Sequence, residues 1–317
     1  MGLDLSKAVA AMLLCPIASC TGPSLSPATD RLAPWTTQLR EQQPEDAFAA
    51  VYKVGKGHLV FVGAKHENDI ASPTFRMISD AYAGFDIDVV IAEGYPTSRG
   101  ANPLRLMEYA TEAHQNGFQE GGESVPTVVG AIKEGAELWG GEPEDADLKS
   151  RVLAQGFSAE DILGYYVLRV IPQWIRERKV ENAGDAGLRA LVEEELRRQR
   201  AFLRLEETIL PNYDSWARWY QGLNAKPIDS TFTTEEAGPL QDGTFGTNKI
   251  AAAVSRARDT YLHELIIQHL QAGKSVLAVF GGSHLMIQRP AFDAALGAPC
   301  YAGSNLHDTS AKCRSSR

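Results

Sequence analysis

Continuous apolar runs alternate with segments of helical spacing along this chain, and such alternation is typical of an α/β fold. Four short, largely apolar runs predict strands, and the run at residues 87–92 has the β-branched pattern of a strand covered on both faces in a parallel sheet. The four runs span residues 58–62, 87–92, 136–139 and 275–280. We therefore predict a central, mostly parallel sheet with flanking helices. A β-hairpin, in which residues 47–54 pair with the first run, opens the sheet.

Segments in which apolar residues recur every three or four positions lie between the predicted strands. They predict helices over residues 73–83, 125–135 and 248–271. From Ser158, a typical N-cap residue, helical spacing continues to Tyr220. We interpret residues 151–220 as a helical insertion in a single α/β domain that covers residues 47–317.

The N-terminal residues have the layout of a bacterial lipoprotein signal. Lys7 precedes an apolar stretch, and small residues stand directly before Cys20. We predict that residues 1–19 are a signal peptide and that Cys20 carries a lipid anchor in a membrane of the bacterial cell envelope, where the protein faces the periplasm or the surface. The alternatives are an ordinary cleaved signal and a short buried helix. Residues 20–46 are rich in Pro, Ser, Thr and Gln, which is typical of a tether, and packing of Trp35 and Leu39 back onto the domain is left open.

The charge of the chain bears on which partners it can bind, and its cysteines bear on the compartment in which it folds. The chain has 40 acidic and 31 basic side chains, and its net charge of −9 argues against nucleic acid as a partner. Cleavage of the predicted signal peptide removes Cys15, and acylation uses Cys20. Cys300 and Cys313 are then the remaining thiols, in an oxidising compartment. These two cysteines are either paired, which would join the tail to the domain, or free.

Each predicted core strand is followed by a glycine-containing turn that presents a histidine or a carboxylate. These side chains are His66, Glu67, Glu93, Glu142 and His284. Ligands collect beyond the carboxyl ends of parallel strands, so the four turns should converge on one crevice. Two imidazoles and several carboxylates in one crevice form a candidate site for a divalent metal ion. Such nitrogen and oxygen donors suit manganese, cobalt or zinc, and a bound water would attack a carbonyl group.

The predicted ligands are His66, Glu93 and His284, and the predicted general base is Glu67 or Glu142. The sequence leaves open which of these two carboxylates is base and which is ligand. A single histidine after a strand is more often a structural residue than a ligand. The repetition of the pattern after four strands is what favours a site.

Arg258 is predicted to lie beside the apolar stripe of the last long helix. A guanidinium at the edge of a buried face needs a carboxylate or a bound anion as its partner, so Arg258 joins the candidate catalytic residues. The other charged residues near these motifs are expected to face solvent. They are Lys65, at the rim of the crevice, and Glu120, Glu123 and Asp259.

The residues from Gly63 to His66, Glu93 at the end of the next strand, the helix with Arg258 and Asp259, and the residues from Gly281 to His284 together resemble a known group of proteins. This is the TIKI/TraB/GumN group of the wider erythromycin-esterase/ChaN-like superfamily. The resemblance covers residues 47–290 in order and spacing, with few identical positions.

The resemblance implies metal-dependent hydrolysis by a protease or an esterase. His66 and His284 would be the two Gly-x-x-His histidines and Glu93 their acidic partner, while Arg258 would steady the site or a developing oxyanion. Glu67 directly after the first histidine and the turn at Glu142 are closer to the esterase-like members.

The sequence thus favours an envelope-anchored, metal-dependent hydrolase of a small-molecule ester or a peptide. The alternative, implied by the ChaN-like branch, is a lipoprotein that binds haem or another ligand without catalysis. Its candidate ligands are Tyr95, His114, Tyr261 and His307. A third interpretation is an envelope scaffold whose catalytic residues have been lost.

Overall fold

The structure is a computed structural model that describes residues 25–96, 114–115, 118–119, 121–176, 178–307 and 313. The predicted signal peptide, Cys20 and Glu120 lie outside these residues. No helix in the described part of the chain is long and apolar enough to cross a membrane.

The strands form one large sheet and one short pair. They are β1 (Phe48–Val54), β2 (Gly57–Ala64), β3 (Val89–Pro96), β4 (His114–Gln115), β5 (Phe118–Gln119), β6 (Glu137–Glu142), β7 (Val276–Gly281) and β8 (Tyr301–Gly303). The large sheet has the order β6-β3-β7-β2-β1-β8, and β4 pairs with β5. The first four strands in that order are parallel. At the other edge β1 pairs antiparallel with both β2 and β8. The predicted α/β fold with a mostly parallel sheet is confirmed.

Helices cover both faces of the sheet and form a separate layer beside it. They are α1 (Thr37–Glu41), α2 (Pro73–Gly84), α3 (Ser124–Glu134), α4 (Asp145–Leu153), α5 (Ala159–Leu168), α6 (Ile171–Arg176), α7 (Leu188–Leu203), α8 (Tyr213–Asn224), α9 (Gly246–Gln271) and α10 (Gly282–Leu296). Thr29–Arg31 and Thr234–Ala237 are short 3₁₀ helices. Ser158 caps α5 as predicted, because its side chain accepts a hydrogen bond from the backbone N–H of Asp161.

The two faces of the sheet belong to two apolar cores. Side chains alternate along a strand, so Phe61 of β2 faces the C-terminal half of α9 and α10, whereas Val60 and Val62 face α2. A third core lies among α4 to α8, the region of the predicted insertion. Helix α9 takes part in two of these cores: Val254 packs among the insertion helices and Ile266 packs against the sheet.

Residues 25–43, which lie in the predicted tether, pack along α9 and α10; we call this segment the strap. Leu32 and Trp35 are buried. The strap is also hydrogen-bonded: Ala33 N–H donates to the carbonyl of Ile287 at 2.9 Å, and Gln241 N–H donates to the carbonyl of Trp35 at 2.8 Å. Burial of two large apolar side chains stabilises this ordered path of a Pro-rich segment. The described part of the predicted tether is therefore part of the folded domain.

The C-terminal cysteines are joined. Cys300 and Cys313 form a disulfide bond, with their Cα atoms 5.6 Å apart. Cys313 is buried in the core that also contains Met77 and Leu306. Of the two alternatives left open by the sequence, the paired state is the one found.

Candidate functional site

The predicted turns converge at the carboxyl edge of the parallel strands. Glu93 lies near the end of β3, Glu142 ends β6, Gly281 ends β7, and His66 follows the end of β2. Because these four strands are parallel neighbours, their ends meet on one side of the sheet. His284 joins them from the first turn of α10.

Arg258 of α9 holds two of the strand-end carboxylates together. Its Nε and Nη2 donate to the two oxygens of Glu142 at 2.6 and 2.5 Å, and Nη2 also donates to Oε1 of Glu93 at 3.0 Å. Burial acts to lower the pKa of Arg258, but the adjacent carboxylates raise it well above its ordinary value. The guanidinium is therefore a permanent cation, and the prediction that it needs a carboxylate partner is confirmed.

Glu93 is the centre of the hydrogen-bond network. Its Oε2 accepts from the backbone N–H of Gly281 at 2.6 Å, and Nε2 of His284 lies 3.5 Å from Oε1. Burial acts to raise the pKa of Glu93, but the hydrogen bond and charge of His284 and the charge of Arg258 hold it well below its ordinary value. Glu93 is thus ionised and bound by donors on several sides.

His284 is oriented by a buried carboxylate that was expected to be exposed. Asp259 is only 1% exposed, and its Oδ1 lies 2.7 Å from Nδ1 of His284. Ser255 Oγ donates to the other oxygen of Asp259 at 3.1 Å. Burial acts to lower the pKa of His284, but Asp259 and then Glu93 raise it to about 10, so the ring is an imidazolium at neutral pH. The expectation of an exposed Asp259 was wrong, because α9 is covered on this side by α10.

His66 is oriented in the same way from the other side of the crevice. Its side chain is 66% exposed, and its Nδ1 lies 2.5 Å from Oε1 of Glu123, whose side chain is 12% exposed. The hydrogen bond to Glu123 raises the pKa of His66 above its ordinary value. The expectation that Glu123 is solvated was wrong, because its position at the start of α3 brings it beside the turn after β2.

Glu67 and Lys65 lie at the margin of this network. Oε1 of Glu67 is 3.7 Å from Nζ of Lys65, and Oε2 is buried without a hydrogen-bond partner among the described residues. Lys65 is half-exposed and also lies 3.5 Å from Asp46, as expected of a charge at the rim. Of the two predicted bases, Glu142 is held by Arg258 and Glu67 makes no hydrogen bond to the described side chains of the site. A base role for either one stays a prediction.

The predicted metal ligands are close together, but the carboxylate of Glu93 is already engaged by other groups. Both histidines have their Nδ1 held by a carboxylate, as metal-bound histidines do. Glu93, however, already accepts hydrogen bonds from Arg258 and Gly281, and its Oε1 lies 3.5 Å from Nε2 of His284. No group of three or more His, Cys, Asp or Glu side chains among the described residues is arranged to hold a metal.

In this arrangement the side chains do not fit a manganese, cobalt or zinc ion. We therefore assign no step of the proposed reaction to a metal ion. The prediction of a metal site itself can be tested by metal content. The comparison is between the purified protein and its His66→Ala and His284→Ala variants.

Comparison with family models, with curated proteins and with solved structures finds no match to this chain. The function is therefore argued from the site alone.

A chain of hydrogen bonds connects the site to the strap. Gln288 of α10 donates through Nε2 to the carbonyl oxygen of Asp259 at 2.7 Å, and its Oε1 lies 3.0 Å from Nδ1 of His263. Nε2 of His263 accepts from the N–H of Ala28 at 3.2 Å. A backbone N–H can only donate, so Nε2 is unprotonated and His263 is neutral with its proton on Nδ1. Neither Gln288, His263 nor Ala28 was assigned a role from the sequence.

The neutral state of His263 makes the folded protein sensitive to acid. Burial lowers its pKa, which the hydrogen bond to Gln288 offsets only in part. The unfolded chain binds the proton at the ordinary pKa of about 6.5, so protonation favours unfolding as the pH falls below that value. We expect urea unfolding to show wild type more stable than His263→Gln by about 1 kcal/mol at about pH 7.5, and a smaller difference at about pH 5.5.

The exposed His307 provides the control for this measurement. His307→Gln should leave the pH dependence of wild type unchanged, because its side chain is 81% exposed. A difference between wild type and His263→Gln that stays constant with pH would contradict the neutral state of His263.

The residues of the alternative, haem-binding function do not form a common site in the described part of the chain. His307 lies 3.9 Å from Asp80 of α2, on one face of the sheet, whereas Tyr261 packs in the core on the other face. The side chains of Tyr95 and His114 lie outside what the structure describes. No observation on the described residues favours this function over hydrolysis.

Proposed function

We propose that the strand-end crevice hydrolyses an ester or a peptide bond, with His66 as the general base. The observation that carries this proposal is the space beside the Cα atom of Gly281. A carbon atom at its Cβ position would lie 3.0 Å from Nε2 of His66 and 3.5 Å from Oε2 of Glu93. A basic nitrogen and a carboxylate that face one small position are suited to hold a water molecule or a reacting carbonyl carbon.

His66 has the attributes of a base that takes and returns one proton. Glu123 holds Nδ1, so Nε2 is left to face the crevice. In the proposed reaction, neutral Nε2 takes a proton from water while the water oxygen attacks the carbonyl carbon of the substrate. When the tetrahedral intermediate collapses, the bond to the alcohol or amine breaks and the leaving group takes the proton from His66.

Arg258 is suited to stabilise the negative oxygen of the intermediate. Glu142 and Glu93 fix Nε and Nη2, while Nη1 makes no hydrogen bond with a described residue. A fixed cation with a donor that no described residue engages does not need to reorganise when charge develops on the substrate, which is the most effective form of electrostatic stabilisation. His284 and Asp259 act on the reaction through Glu93, as positioning residues.

The proposal is tested by a substrate panel and a variant that fills the reacting position. Gly281→Ala would place a methyl group between His66 and Glu93 without strain in the backbone, since the φ angle of Gly281 is −50°. We expect wild type to hydrolyse chromogenic p-nitrophenyl esters or fluorogenic peptides, and Gly281→Ala to lower kcat/KM by about 100-fold.

Gly222 in α8 is the matched control for this substitution. A Cβ atom there would have no neighbour within 4 Å, so Gly222→Ala should keep full activity. Full activity of Gly281→Ala, or the absence of turnover by wild type on both substrate series, would count against hydrolysis at this position.

We also propose that the protein is anchored in the bacterial cell envelope through a lipid on Cys20. The disulfide bond between Cys300 and Cys313 supports an oxidising compartment. When the full chain is expressed in bacteria, we expect fractionation to find wild type with membranes and Cys20→Ser in the soluble fraction. Cys15→Ser, a change within the same predicted signal region, should stay with membranes. Unchanged membrane retention of Cys20→Ser would contradict the lipid anchor.

A further inference from the structure

A cavity lies beneath the strap, apart from the residues assigned to hydrolysis. It has a volume of about 560 Å³ and is bounded by the strap, by one face of α9, and by residues near α5 and α10. Cavities that hold small organic molecules in proteins have volumes of roughly 300–1,000 Å³. Asp259 contributes to its wall, but the carboxylate of Asp259 is already held by His284 and Ser255. The cavity is therefore large enough for a ligand of its own.

Two basic residues face this cavity without an acidic partner. Lys249 and Arg256 both contribute to its wall, and neither makes an ion pair with a described residue. The guanidinium of Arg256 donates to two neutral acceptors, the carbonyls of Leu32 and Thr29, at 2.8 and 2.6 Å. Seven residues correspond to about two turns, so the two cations lie on the same face of α9 and are separated by about 10 Å. In a chain with a net charge of −9, this is a local excess of positive charge.

The rest of the wall is largely apolar. Trp35 of the strap, Phe157 before α5 and Ile287 of α10 contribute to it, together with Ala252 between the two basic residues. Aromatic and aliphatic walls favour the apolar body of a ligand, and a few charged groups at one side fix its orientation.

We propose that this cavity is a binding site for a small amphipathic anion, an organic acid with an aromatic or aliphatic body. The body packs against Trp35 and Phe157, and the acid group faces Lys249 and Arg256. This site is independent of the proposed hydrolysis, because the residues that define the ligand chemistry do not belong to the catalytic crevice.

The test uses a pair of fluorescent probes that differ in charge. 8-Anilinonaphthalene-1-sulfonate is an aromatic anion, and N-phenyl-1-naphthylamine is its uncharged analogue. We expect the purified full chain to bind the anion more tightly than the analogue. Lys249→Met should weaken binding of the anion by about tenfold and leave the analogue almost unaffected, because only the anion loses a charged partner. Ala252→Phe, which fills the cavity, should abolish binding of both probes.

Lys53 is the matched control, because it is exposed on β1 and does not contribute to the cavity. Lys53→Met should bind both probes as wild type does. The proposal is overturned if wild type does not bind the anion, or if Lys249→Met binds it as tightly as wild type. The same holds if Lys53→Met weakens binding as much as Lys249→Met. Lys249 is exposed, so this variant remains decisive even if Ala252→Phe fails to fold.

Discussion

Replacement of Arg258 by methionine is expected to lower the free energy of unfolding by about 3–5 kcal/mol and to reduce hydrolysis to the background rate. The guanidinium is largely buried and neutralises both Glu93 and Glu142. Methionine keeps much of the side-chain volume but leaves two carboxylates without their cation. An uncompensated buried charge costs far more than the pair itself contributes. Urea unfolding followed by circular dichroism measures the loss.

A double-mutant cycle separates this charge effect from the loss of packing. When Glu142→Gln is added to Arg258→Met, the combined loss of stability should be smaller than the sum of the two single losses by at least about 1 kcal/mol. The matched control is Arg289→Met, since Arg289 makes an exposed pair with Asp293 at 3.2 Å within α10. It should change stability by about 0.5 kcal/mol or less. Equal losses for Arg258→Met and Arg289→Met would refute the central role of Arg258.

Replacement of His66 by glutamine is expected to lower kcat/KM by about 10²- to 10⁴-fold on any substrate that wild type hydrolyses. Glutamine can form hydrogen bonds but cannot take a proton from water near neutral pH. Because the side chain of His66 is 66% exposed, the variant should fold with a stability within about 0.5 kcal/mol of wild type. Initial rates and a thermal unfolding curve, measured on the same preparation, distinguish loss of chemistry from loss of fold.

His307→Gln is the control for a histidine outside the crevice and should keep wild-type turnover. If His66→Gln retained full kcat/KM, the general base would have to be sought elsewhere. Glu67 would then be the first candidate, because its buried Oε2 has no partner among the described residues.

The strand ends of the site could be predicted because their signals are local. An apolar run followed by a glycine and a polar residue indicates a strand and the region where it ends. The strands that lead to His66, Glu93, Glu142 and Gly281 were found in this way, although β3 and β6 continue past their predicted ends, to Pro96 and Glu142. Arg258 could be placed at the edge of a buried face from the apolar stripe of its helix. Glu93 and Glu142 were predicted to lie in the same strand-end crevice, but not as the partners of Arg258.

Asp259 and Glu123 could not be assigned from such patterns. A single apolar stripe on a helix implies that the opposite side faces solvent, but α9 is covered by the insertion on one side and by α10 on another. One signal was present: Ser255, Asp259 and His263 recur every four residues, which makes a polar stripe on a largely apolar helix. Glu123 reaches His66 only because α3 packs against the sheet, and no local pattern shows which turn a distant helix start will meet.

The strap was predicted as a tether, with packing of Trp35 and Leu39 onto the domain left open, and its path could not be predicted for a different reason. The composition of the strap is that of a flexible linker, because its many small and polar residues outweigh the two large apolar residues that hold it on the domain. Leu32 and Trp35 pack with Leu240 and with Ile287 and Ala291 of α10, in positions that only the folded domain creates.

Because α9 belongs to two cores, it also determines how the protein unfolds. Its first half is packed among the insertion helices and its second half against the sheet, within one continuous helix of 26 residues. Neither core can melt without exposing half of this helix, so the insertion and the sheet form one cooperative unit rather than two independently folding parts. In native-state hydrogen exchange, the amides at the middle of α9 therefore belong to the slowest class, which opens only when the whole chain unfolds.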